Sequence, residues 1–541
     1  MQALELWGGP ECTVNRLGSS FRDQFREHGH YDRLEDLDLF AELGLKAIRY
    51  PILWERIAPE APGEYGWSWT DARLFRLREL NIRPIAGLVH HGSGPAYTDL
   101  LAESFAPGLA AFARAAAERY PWVEAWTPVN EPVTTARFSA LYGLWYPHLR
   151  DERSFWVALL NQIDGVRLAM AEIRKVNPAA KLVQTDDLGR TYATAAVREQ
   201  AAFDNVRRWM SWDLLCGRVV AGHPFWRRLC GFGLKDRLLR IADAPCSPDI
   251  IGVNHYLTSD RFLDHRIQRY PIHLCGGNEG QRFADTEAVR VLDPPPPGLR
   301  GVLLEAWNRY RLPIAVTEVH NGCTREEQMR WMRDAWAAAL ELRQDGIDIR
   351  AVTSWSLLGS WGWDTLLTGP GSYEPGIYDV SSGKPEPTAM VGLLRALVEG
   401  EDPHPASHGH GWWRRSIRLH HPVVPRPAPI QDRPRAPEWR SPSARPVLLV
   451  GDEESGDKFA AACRERGLPF RATSASGLDL DEIIERERPW AILWIDPSQQ
   501  EVGAERDGLF HLTATGGDDP RRLLDRLIDE HALIGSRRQA A

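Results

Sequence analysis

Short apolar runs alternate with amphipathic segments from the start of the chain to about residue 400. Eight of these runs have the length of buried strands, and they are residues 4–8, 46–50, 83–89, 123–129, 181–185, 249–254, 312–317 and 351–356. The segments between them place apolar residues at helical spacing, as Leu37, Phe40 and Ala41 do within residues 32–44. Eight strand–helix repeats predict a (β/α)8 barrel, with an open doubly wound sheet as the alternative.

Two of the predicted strands run into a glutamate followed by polar, proline or glycine residues. Glu131 ends one run and Glu318 ends another. In a barrel enzyme the carboxyl ends of all strands open onto one face, and catalytic groups lie there. Two carboxylates that meet on that face are what the cleavage of a glycosidic bond needs. This pair is therefore the first candidate for a catalytic centre.

Length and composition fit a soluble protein with more than one unit. The 541 residues are compatible with a large barrel and a smaller domain. The net charge of -8, from 65 basic and 73 acidic residues, gives no electrostatic reason to bind nucleic acid or an anionic membrane. Seven cysteines without CxxC spacing fit a reducing compartment, and neither a secretory signal nor a bilayer-spanning stretch is present. We therefore predict a cytoplasmic protein without nucleic-acid or membrane partners, and the oligomeric state stays open.

The composition changes after residue 400. Residues 401–445 are rich in proline, which is typical of a semi-rigid linker. Beyond them, strand-like and helical segments alternate as residues 447–451, 458–466, 470–473, 480–488 and 490–495. This βαβαβ pattern favours a parallel sheet. The sequence thus predicts a barrel over residues 1–400, a linker over 401–445 and a small Rossmann-like α/β domain over 446–541.

Five segments resemble, in the same order along the chain, the motifs of glycoside hydrolase family 1. Residues 127–132 (TPVNEP) resemble the family's T-x-N-E-P acid/base motif, and residues 317–322 (TEVHNG) resemble its T-E-N-G nucleophile motif with two residues inserted. Residues 49–57 (RYPILWERI), 251–256 (IGVNHY) and 355–358 (WSLL) are similar to R-F-S-I-S-W-S-R-I, G-x-N-x-Y and the start of W-S-L-L-D-N-F-E-W. Each match alone is weak, but their joint order is specific. The family consists of retaining β-glycosidases on a (β/α)8 barrel.

The resemblance implies a role for each matching residue. Glu131 would be the acid/base and Glu318 the nucleophile, about 5 Å apart as in retaining enzymes, with Arg49 and Tyr256 keeping Glu318 ionised. Of His90 and the adjacent His91, we expect one to face the barrel mouth and the other to point away. The residues implied to bind the sugar are Asn130, His90, Asn254, Trp355 and Asn15.

The chain departs from the family pattern where the family binds the glycon, the sugar on the non-reducing side of the bond. Gly362 stands where the family has a glutamate that holds the glycon hydroxyls, and Asp364 is the candidate substitute. Asn15 stands where the family has a longer glutamine. The resemblance therefore implies a glycosidase acting on a small-molecule glycoside or oligosaccharide, without cofactor or metal, whose glycon is open. The alternative is a carbohydrate-binding or scaffold protein with weakened catalysis.

The C-terminal unit resembles the nucleotide-binding part of dTDP-4-dehydrorhamnose reductases. Its glycine-rich turn is replaced by residues 451–456 (GDEESG), whose acidic side chains would repel a pyrophosphate. No tyrosine follows Tyr378, so the Tyr-x-x-x-Lys pair of these reductases cannot exist here. We predict a degenerate domain without dehydrogenase chemistry, which disfavours the third reading of the chain as a sugar-nucleotide oxidoreductase.

Overall fold

A computed structural model describes residues 3–278, 280–426, 445–474, 478–495, 509–514 and 517–539. Eight parallel strands form a closed barrel, which confirms the predicted (β/α)8 fold and excludes the open sheet. All eight predicted strands are present, and their ends differ from the prediction by at most two residues. They are β1 (Glu5–Gly9), β2 (Ala47–Pro51), β3 (Arg83–His90), β4 (Ala125–Asn130), β5 (Lys181–Asp187), β6 (Ile250–Asn254), β7 (Ile314–Val319) and β8 (Ile349–Trp355).

The barrel closes because the last strand pairs with the first. Strand β8 runs parallel to β1 in a register that sets Glu5 opposite Ala351 and Gly9 opposite Trp355. Every other neighbour in the sheet is the next barrel strand along the chain. The amino end of the barrel is filled by a buried cluster, namely Trp7, Ala47, Ile85, Val183, Ala315 and Ala351. A site for a ligand is therefore expected at the carboxyl end of the strands.

One principal helix follows each strand. These helices are α1 (Asp36–Ala41), α2 (Ser68–Glu79), α3 (Phe105–Arg119), α4 (Glu152–Val176), α5 (Met210–Leu215), α6 (Gly298–Tyr310), α7 (Arg325–Gln344) and α8 (Ala389–Glu399). Further α-helices in the loops are Gln24–Glu27, Trp54–Ile57, Pro132–Ala136, Arg198–Arg207, Trp226–Gly231 and Lys235–Asp243. Within the described ranges, no helix combines the length and the apolar character needed to cross a membrane.

Small β elements extend the loops at the carboxyl face. A hairpin of Val14–Leu17 and Ser20–Asp23 follows β1, and Ser360–Trp361 pairs with Tyr373–Glu374 after β8. The loops after β5 and β6 supply a four-stranded sheet of Cys275–Gly277, Arg282–Glu287, Arg261–Asp264 and Thr191–Ala193. Because β1 and β8 are neighbours, the first two of these hairpins lie at the same side of the barrel mouth.

The described part of the predicted linker lies on the barrel. Residues 401–426 contain three short 3-10 helices, and Val424–Pro425 pairs with Leu292–Asp293. The ring of Trp413 is buried 5.2 Å from that of Trp331 on helix α7. The remaining part of the predicted linker, residues 427–444, lies outside the described residues.

The C-terminal unit is a parallel α/β sheet, as predicted. Its strands β9 (Val447–Val450), β10 (Phe470–Thr473), β11 (Ala491–Trp494) and β12 (Phe510–Thr513) have the order β10-β9-β11-β12. Its helices are α9 (Glu453–Glu465), α10 (Leu478–Glu487) and α11 (Pro520–Gln539). Strand β12 and helix α11 were not predicted.

Candidate active site

Both glutamates are buried at the carboxyl face of the barrel. Asn254 bonds Glu131 and also Thr317, the residue before Glu318. Glu131 follows β4 and adopts a left-handed backbone with φ of 46°, whereas Glu318 lies near the end of β7. Asn254 ends β6 opposite Glu318 in the register. Its Nδ2 donates to Glu131 Oε1 at 2.5 Å, and its Oδ1 accepts from Thr317 Oγ1 at 2.7 Å. Strained non-glycine backbone of this kind concentrates at functional sites.

Glu318 is held by an arginine and a tyrosine. Arg49 Nη1 donates to Glu318 Oε1 at 2.7 Å and to the Thr317 carbonyl oxygen at 2.8 Å. The Tyr256 hydroxyl donates to Glu318 Oε2. Burial raises the pKa of Glu318 above its usual value, and both donors oppose that rise because they stabilise the charged form. Burial and the Glu318 charge raise the pKa of Tyr256, so its hydroxyl keeps the proton that it donates.

Glu131 has the opposite environment. Burial raises its pKa well above the usual value, and the negative charges of Glu318, Asp187 and Asp186 raise it further. The basic group paired with it is His91, whose Nε2 is 3.9 Å from Glu131 Oε2. Burial lowers the pKa of His91 to about 3, so this imidazole is neutral and supplies no positive charge. Glu131 therefore keeps a proton at a pH where Glu318 is ionised.

Asn130 lies at the centre of a hydrogen-bonded group between the two glutamates. Its Oδ1 accepts from Arg49 Nη2 at 2.5 Å and from Thr185 Oγ1 at 2.7 Å. Its Nδ2 lies 3.3 Å from Nε2 of both His90 and His91. Both histidines thus face the site, against the expectation that one would point away. The reason is the left-handed backbone of His91, with φ of 53°, which breaks the alternation of the strand.

Trp355 forms an aromatic wall of the site. Its ring stacks on His90 with centroids 5.4 Å apart and planes 7° apart, and the Arg49 guanidinium lies 4.9 Å from its centroid. A second aromatic group surrounds His91, which lies 5.5 Å from Trp145 and 5.4 Å from Trp363 between ring centroids. These flat apolar surfaces suit the C–H face of a sugar.

The region around residue 362 lacks the carboxylate that the family motif has there. A Cβ on Gly362 would overlap the Arg22 guanidinium, so a side chain there would require Arg22 to move. Asp364 is exposed and accepts from the Ser372 backbone N–H at 2.8 Å, so it does not take the missing place. Asn15 lies opposite Arg22 in the hairpin after β1. It is fully buried, and neither atom of its carboxamide has a hydrogen-bond partner among the described residues.

Glu11 is a buried carboxylate that the sequence reasoning missed. It lies two residues beyond β1, where Oε1 accepts from the Thr13 backbone N–H at 2.9 Å and from Thr13 Oγ1 at 2.6 Å. Its Oε2 accepts from Trp363 Nε1 at 3.0 Å. The charge of Glu11 also raises the pKa of Glu318, which places Glu11 near that glutamate. The strand-end rule that singled out Glu131 and Glu318 would also have found Glu11.

The arrangement combines a carboxylic acid and a carboxylate in one buried pocket. An acid that can protonate a leaving oxygen and an ionised carboxylate that can attack a carbon are the two groups of glycoside hydrolysis. Among the residues that the structure describes, no cluster of three or more His, Cys, Asp or Glu side chains could hold a metal ion.

Several known proteins are similar to this chain. The 23% identical aryl-phospho-β-D-glucosidase BglC of Bacillus subtilis aligns over 381 residues, 62% of this chain and 78% of the relative. β-Glucosidase A of Thermotoga maritima is 23% identical over 366 residues, again 62% and 78%. The solved family 1 β-glucosidase of Thermotoga maritima superposes with a TM-score of 0.60 at 18% identity, over 76% of this chain and 99% of that one.

The family assignment follows from the match of a family model. The family described as glycosyl hydrolase family 1 matches residues 19–368, which is more than half of the chain. The match includes Arg49, Glu131, Tyr256 and Glu318, and it ends before the C-terminal unit. The chain belongs to glycosyl hydrolase family 1 and is a glycosidase.

Proposed function

We propose that the protein is a retaining β-glycosidase that works by double displacement. Glu318 attacks the anomeric carbon while Glu131 protonates the leaving oxygen, which gives a covalent glycosyl-enzyme. Water, deprotonated by Glu131, then releases the sugar. The observation that carries this proposal is the contrast between the two carboxylates. Arg49 and Tyr256 donate to Glu318, whereas burial and neighbouring negative charges favour the protonated form of Glu131.

The charge of Glu318 lets one residue serve as acid and then as base. Before the first step, that charge raises the pKa of Glu131 and keeps it protonated. Once Glu318 is esterified its charge is gone, so the pKa of Glu131 falls and the carboxylate can accept a proton from water. The same side chain thereby fits both half-reactions.

The surrounding side chains have matching roles in the proposal. Asn130 Nδ2 is the donor for the sugar 2-hydroxyl, a contact that strengthens in the transition state. Asn254 orients Glu131 through its 2.5 Å hydrogen bond. His90 and Asn15 are glycon ligands, and Trp355 is an apolar platform for the sugar ring.

The substrate class is a β-glycoside, either a small molecule or an oligosaccharide. The relatives carry the names β-glucosidase, aryl-phospho-β-D-glucosidase and 6-phospho-β-glucosidase. Because the relatives include enzymes of both kinds, neutral and phosphorylated glucosides are both candidate substrates.

A second candidate is a carbohydrate-binding protein with weakened turnover. The observation that favours it is the missing carboxylate at residue 362, for which Asp364 does not compensate. Retention of Glu131, Glu318 and Arg49 in hydrogen-bonded positions favours the enzyme instead.

Trapping the covalent intermediate separates these candidates. The protein is incubated with a panel of 2-deoxy-2-fluoro glycosyl fluorides, in which fluorine slows hydrolysis and the fluoride leaving group favours glycosylation. Mass spectrometry of peptides is expected to find the sugar on Glu318. Glu318→Gln should stay unlabelled, and the matched control Glu374→Gln, which removes only the partner of His320, should still be labelled. No adduct with any member of the panel would favour the binding protein.

We further infer that residues 446–541 are a degenerate reductase-like domain in a cytoplasmic protein, joined to a catalytic domain of residues 1–400 by a linker of residues 401–445. The lack of any tyrosine after Tyr378 supports the absence of reductase chemistry. Titration with NADPH, followed by tryptophan fluorescence, is expected to give no saturable change. Saturable binding would favour the sugar-nucleotide oxidoreductase.

A further inference from the structure

A third carboxylate belongs to the pocket. We propose that Glu11 grips the glycon hydroxyls in place of the carboxylate missing at residue 362, and that the glycon is therefore neutral. The inference rests on the proposed glycosidase function and adds its specificity. Glu11 is 2% exposed and lies two residues beyond β1, where its backbone N–H donates to Ser356 Oγ after β8 and its charge acts on Glu318.

The hydrogen bonds of Glu11 leave one oxygen suited to a sugar. Both Thr13 donors bind Oε1, so they fix the orientation of the carboxylate. Oε2 receives only Trp363 Nε1 among the described contacts, and a carboxylate oxygen can accept a second hydrogen bond. The ring of Trp363 lies 5.4 Å from that of His91, which itself contacts Asn130. Oε2 is therefore on the side of Glu11 that is linked to the catalytic group.

Among the described residues, no Lys, Arg or His side chain forms an ion pair with Glu11. Its charge acts on the pocket, since it raises the pKa of both Glu318 and Tyr256. A buried carboxylate without a cation is costly unless polar groups stabilise it. Sugar hydroxyls are donors of the required kind, and hydrogen bonds to a charged acceptor are stronger than those between neutral groups.

The other side of the pocket cannot supply this carboxylate. Arg22 occupies the space beside Gly362 and is anchored to Glu27 Oε1 at 2.7 Å and to the carbonyl oxygens of Gly369 and Pro370 at 2.5 and 2.9 Å. A side chain at residue 362 would have to break those bonds. Asn15, opposite Arg22, adds a buried carboxamide whose two atoms are free to bond a ligand. Glycon recognition thus moves from the loop after β8 to the segment after β1.

The charge of Glu11 selects the class of glycon. A phosphate or carboxylate on the sugar would lie beside Glu11 in a buried pocket that also contains ionised Glu318, and like charges repel strongly there. Neutral hexosides meet hydrogen-bond acceptors instead. Among the two classes suggested by the relatives, the neutral β-glycosides are therefore the substrates of this chain.

The test compares Glu11→Gln with Glu5→Gln on aryl β-glycosides, their 6-phosphates and their 3-, 4- and 6-deoxy analogues. Glu5 is a matched control because it lies at the other end of β1 and also accepts a tryptophan Nε1, that of Trp7, at 2.7 Å. We expect wild type to prefer the neutral glycosides, and Glu11→Gln to lower kcat/KM for them about 10- to 100-fold. The penalty should largely vanish on the deoxy analogue that lacks the gripped hydroxyl, which a merely structural role would not produce.

Trapping on Glu318 separates the possible failures. If wild type forms the adduct but Glu11→Gln has unchanged kcat/KM, or a penalty equal on all analogues, only the role of Glu11 is overturned. A wild-type preference for the 6-phosphates overturns the neutral glycon. If wild type forms no adduct, the proposed function and this inference fall together. Should Glu11→Gln fail to fold by circular dichroism, Glu11→Asp, which keeps the charge but shortens the reach, is expected to give the same pattern.

Discussion

At the scale of single residues, two side chains of the same type acquire different acid–base properties from their neighbours. Glu131 and Glu318 are both buried, so burial raises both pKa values. Glu318 has a cationic donor, Arg49, and a second donor, Tyr256, that offset this, whereas the side-chain donor to Glu131 is the neutral amide of Asn254. Glu131 instead lies among the negative charges of Glu318, Asp187 and Asp186. The difference between an acid and a nucleophile is therefore set by the residues around them.

The pH dependence of kcat/KM follows from the pKa values of Glu131 and Glu318. Activity should fall as pH decreases through the pKa of Glu318, which must be ionised, and as pH increases through the pKa of Glu131, which must be protonated. Asp187→Asn removes a charge that raises the pKa of Glu131, so the basic limb should move to lower pH. Asp285→Asn, an exposed partner of Arg261, is the control and should leave the limb in place. A basic limb that does not move in Asp187→Asn would contradict the assignment of Glu131.

Removal of the general acid should slow the reaction most for substrates with poor leaving groups. We expect Glu131→Gln to lower kcat about 10²- to 10⁴-fold on alkyl glycosides, which need protonation of the departing oxygen. With 2,4-dinitrophenyl glycosides, whose leaving group needs no proton, the first step should be nearly unaffected. Pre-steady-state release of dinitrophenolate measures that step. An equal loss in the first step for both leaving groups would argue against Glu131 as the general acid.

At the scale of elements, the loops after β1 and β8 define the site together because barrel closure makes these strands neighbours. Glu11 accepts from Trp363, and its backbone N–H donates to Ser356 Oγ at 2.7 Å. Arg22 from the hairpin after β1 bonds the carbonyl oxygens of Gly369 and Pro370 after β8. Side-chain and backbone hydrogen bonds therefore join the two loops.

Gly362 tests this coupling. Its φ is 73°, and a Cβ would overlap the anchored Arg22 guanidinium. Gly383 has a similar φ of 86° with nothing within 4 Å of a Cβ, so it isolates the backbone cost. Gly383→Ala should cost about 1 kcal/mol of unfolding free energy. Gly362→Ala should cost more and should also raise KM. Equal unfolding midpoints in urea with an unchanged KM would disprove the coupling.

At the scale of the whole molecule, the C-terminal unit is attached to the barrel by buried charge. Arg466, at the end of α9, donates to both oxygens of Glu326 on α7 and to Asp525 Oδ1 on α11 at 2.8 Å. Arg325 on α7 pairs with Asp529 on α11 at 3.0 Å. Since α7 follows the strand that carries Glu318, the unit packs on the helix behind the proposed nucleophile.

Loss of one partner should destabilise this interface. Arg466→Ala leaves the Glu326 carboxylate buried without its cation, which we expect to cost about 3–5 kcal/mol of unfolding free energy. Arg521→Ala breaks an exposed ion pair with Glu465, 70% and 60% exposed, and should cost under about 1 kcal/mol. Urea unfolding followed by circular dichroism measures both. Similar unfolding midpoints for the two variants would show that the buried ion pair does not hold the C-terminal unit on the barrel.

The sequence predicts the barrel well because its strands are buried on both faces and so appear as continuous apolar runs. Residues in strand-end motifs, such as Asn130 and Asn254, could also be named. Glu11 also follows a predicted strand, but its partner Trp363 lies 352 positions away, so the sequence alone does not show that the two side chains meet. The direction of His91 depends on a left-handed backbone that residue type does not reveal. Strand β12, Phe510–Thr513, alternates apolar and polar residues and lacks a continuous apolar run.

The stereochemistry of hydrolysis distinguishes double displacement from single displacement. Proton NMR of an aryl β-glycoside reaction, recorded before the released sugar mutarotates, shows which anomer forms first. Double displacement through Glu318 inverts the anomeric carbon twice, so we expect the β-anomer to appear first. First appearance of the α-anomer would mean a single displacement, and the roles assigned to Glu131 and Glu318 would then be wrong.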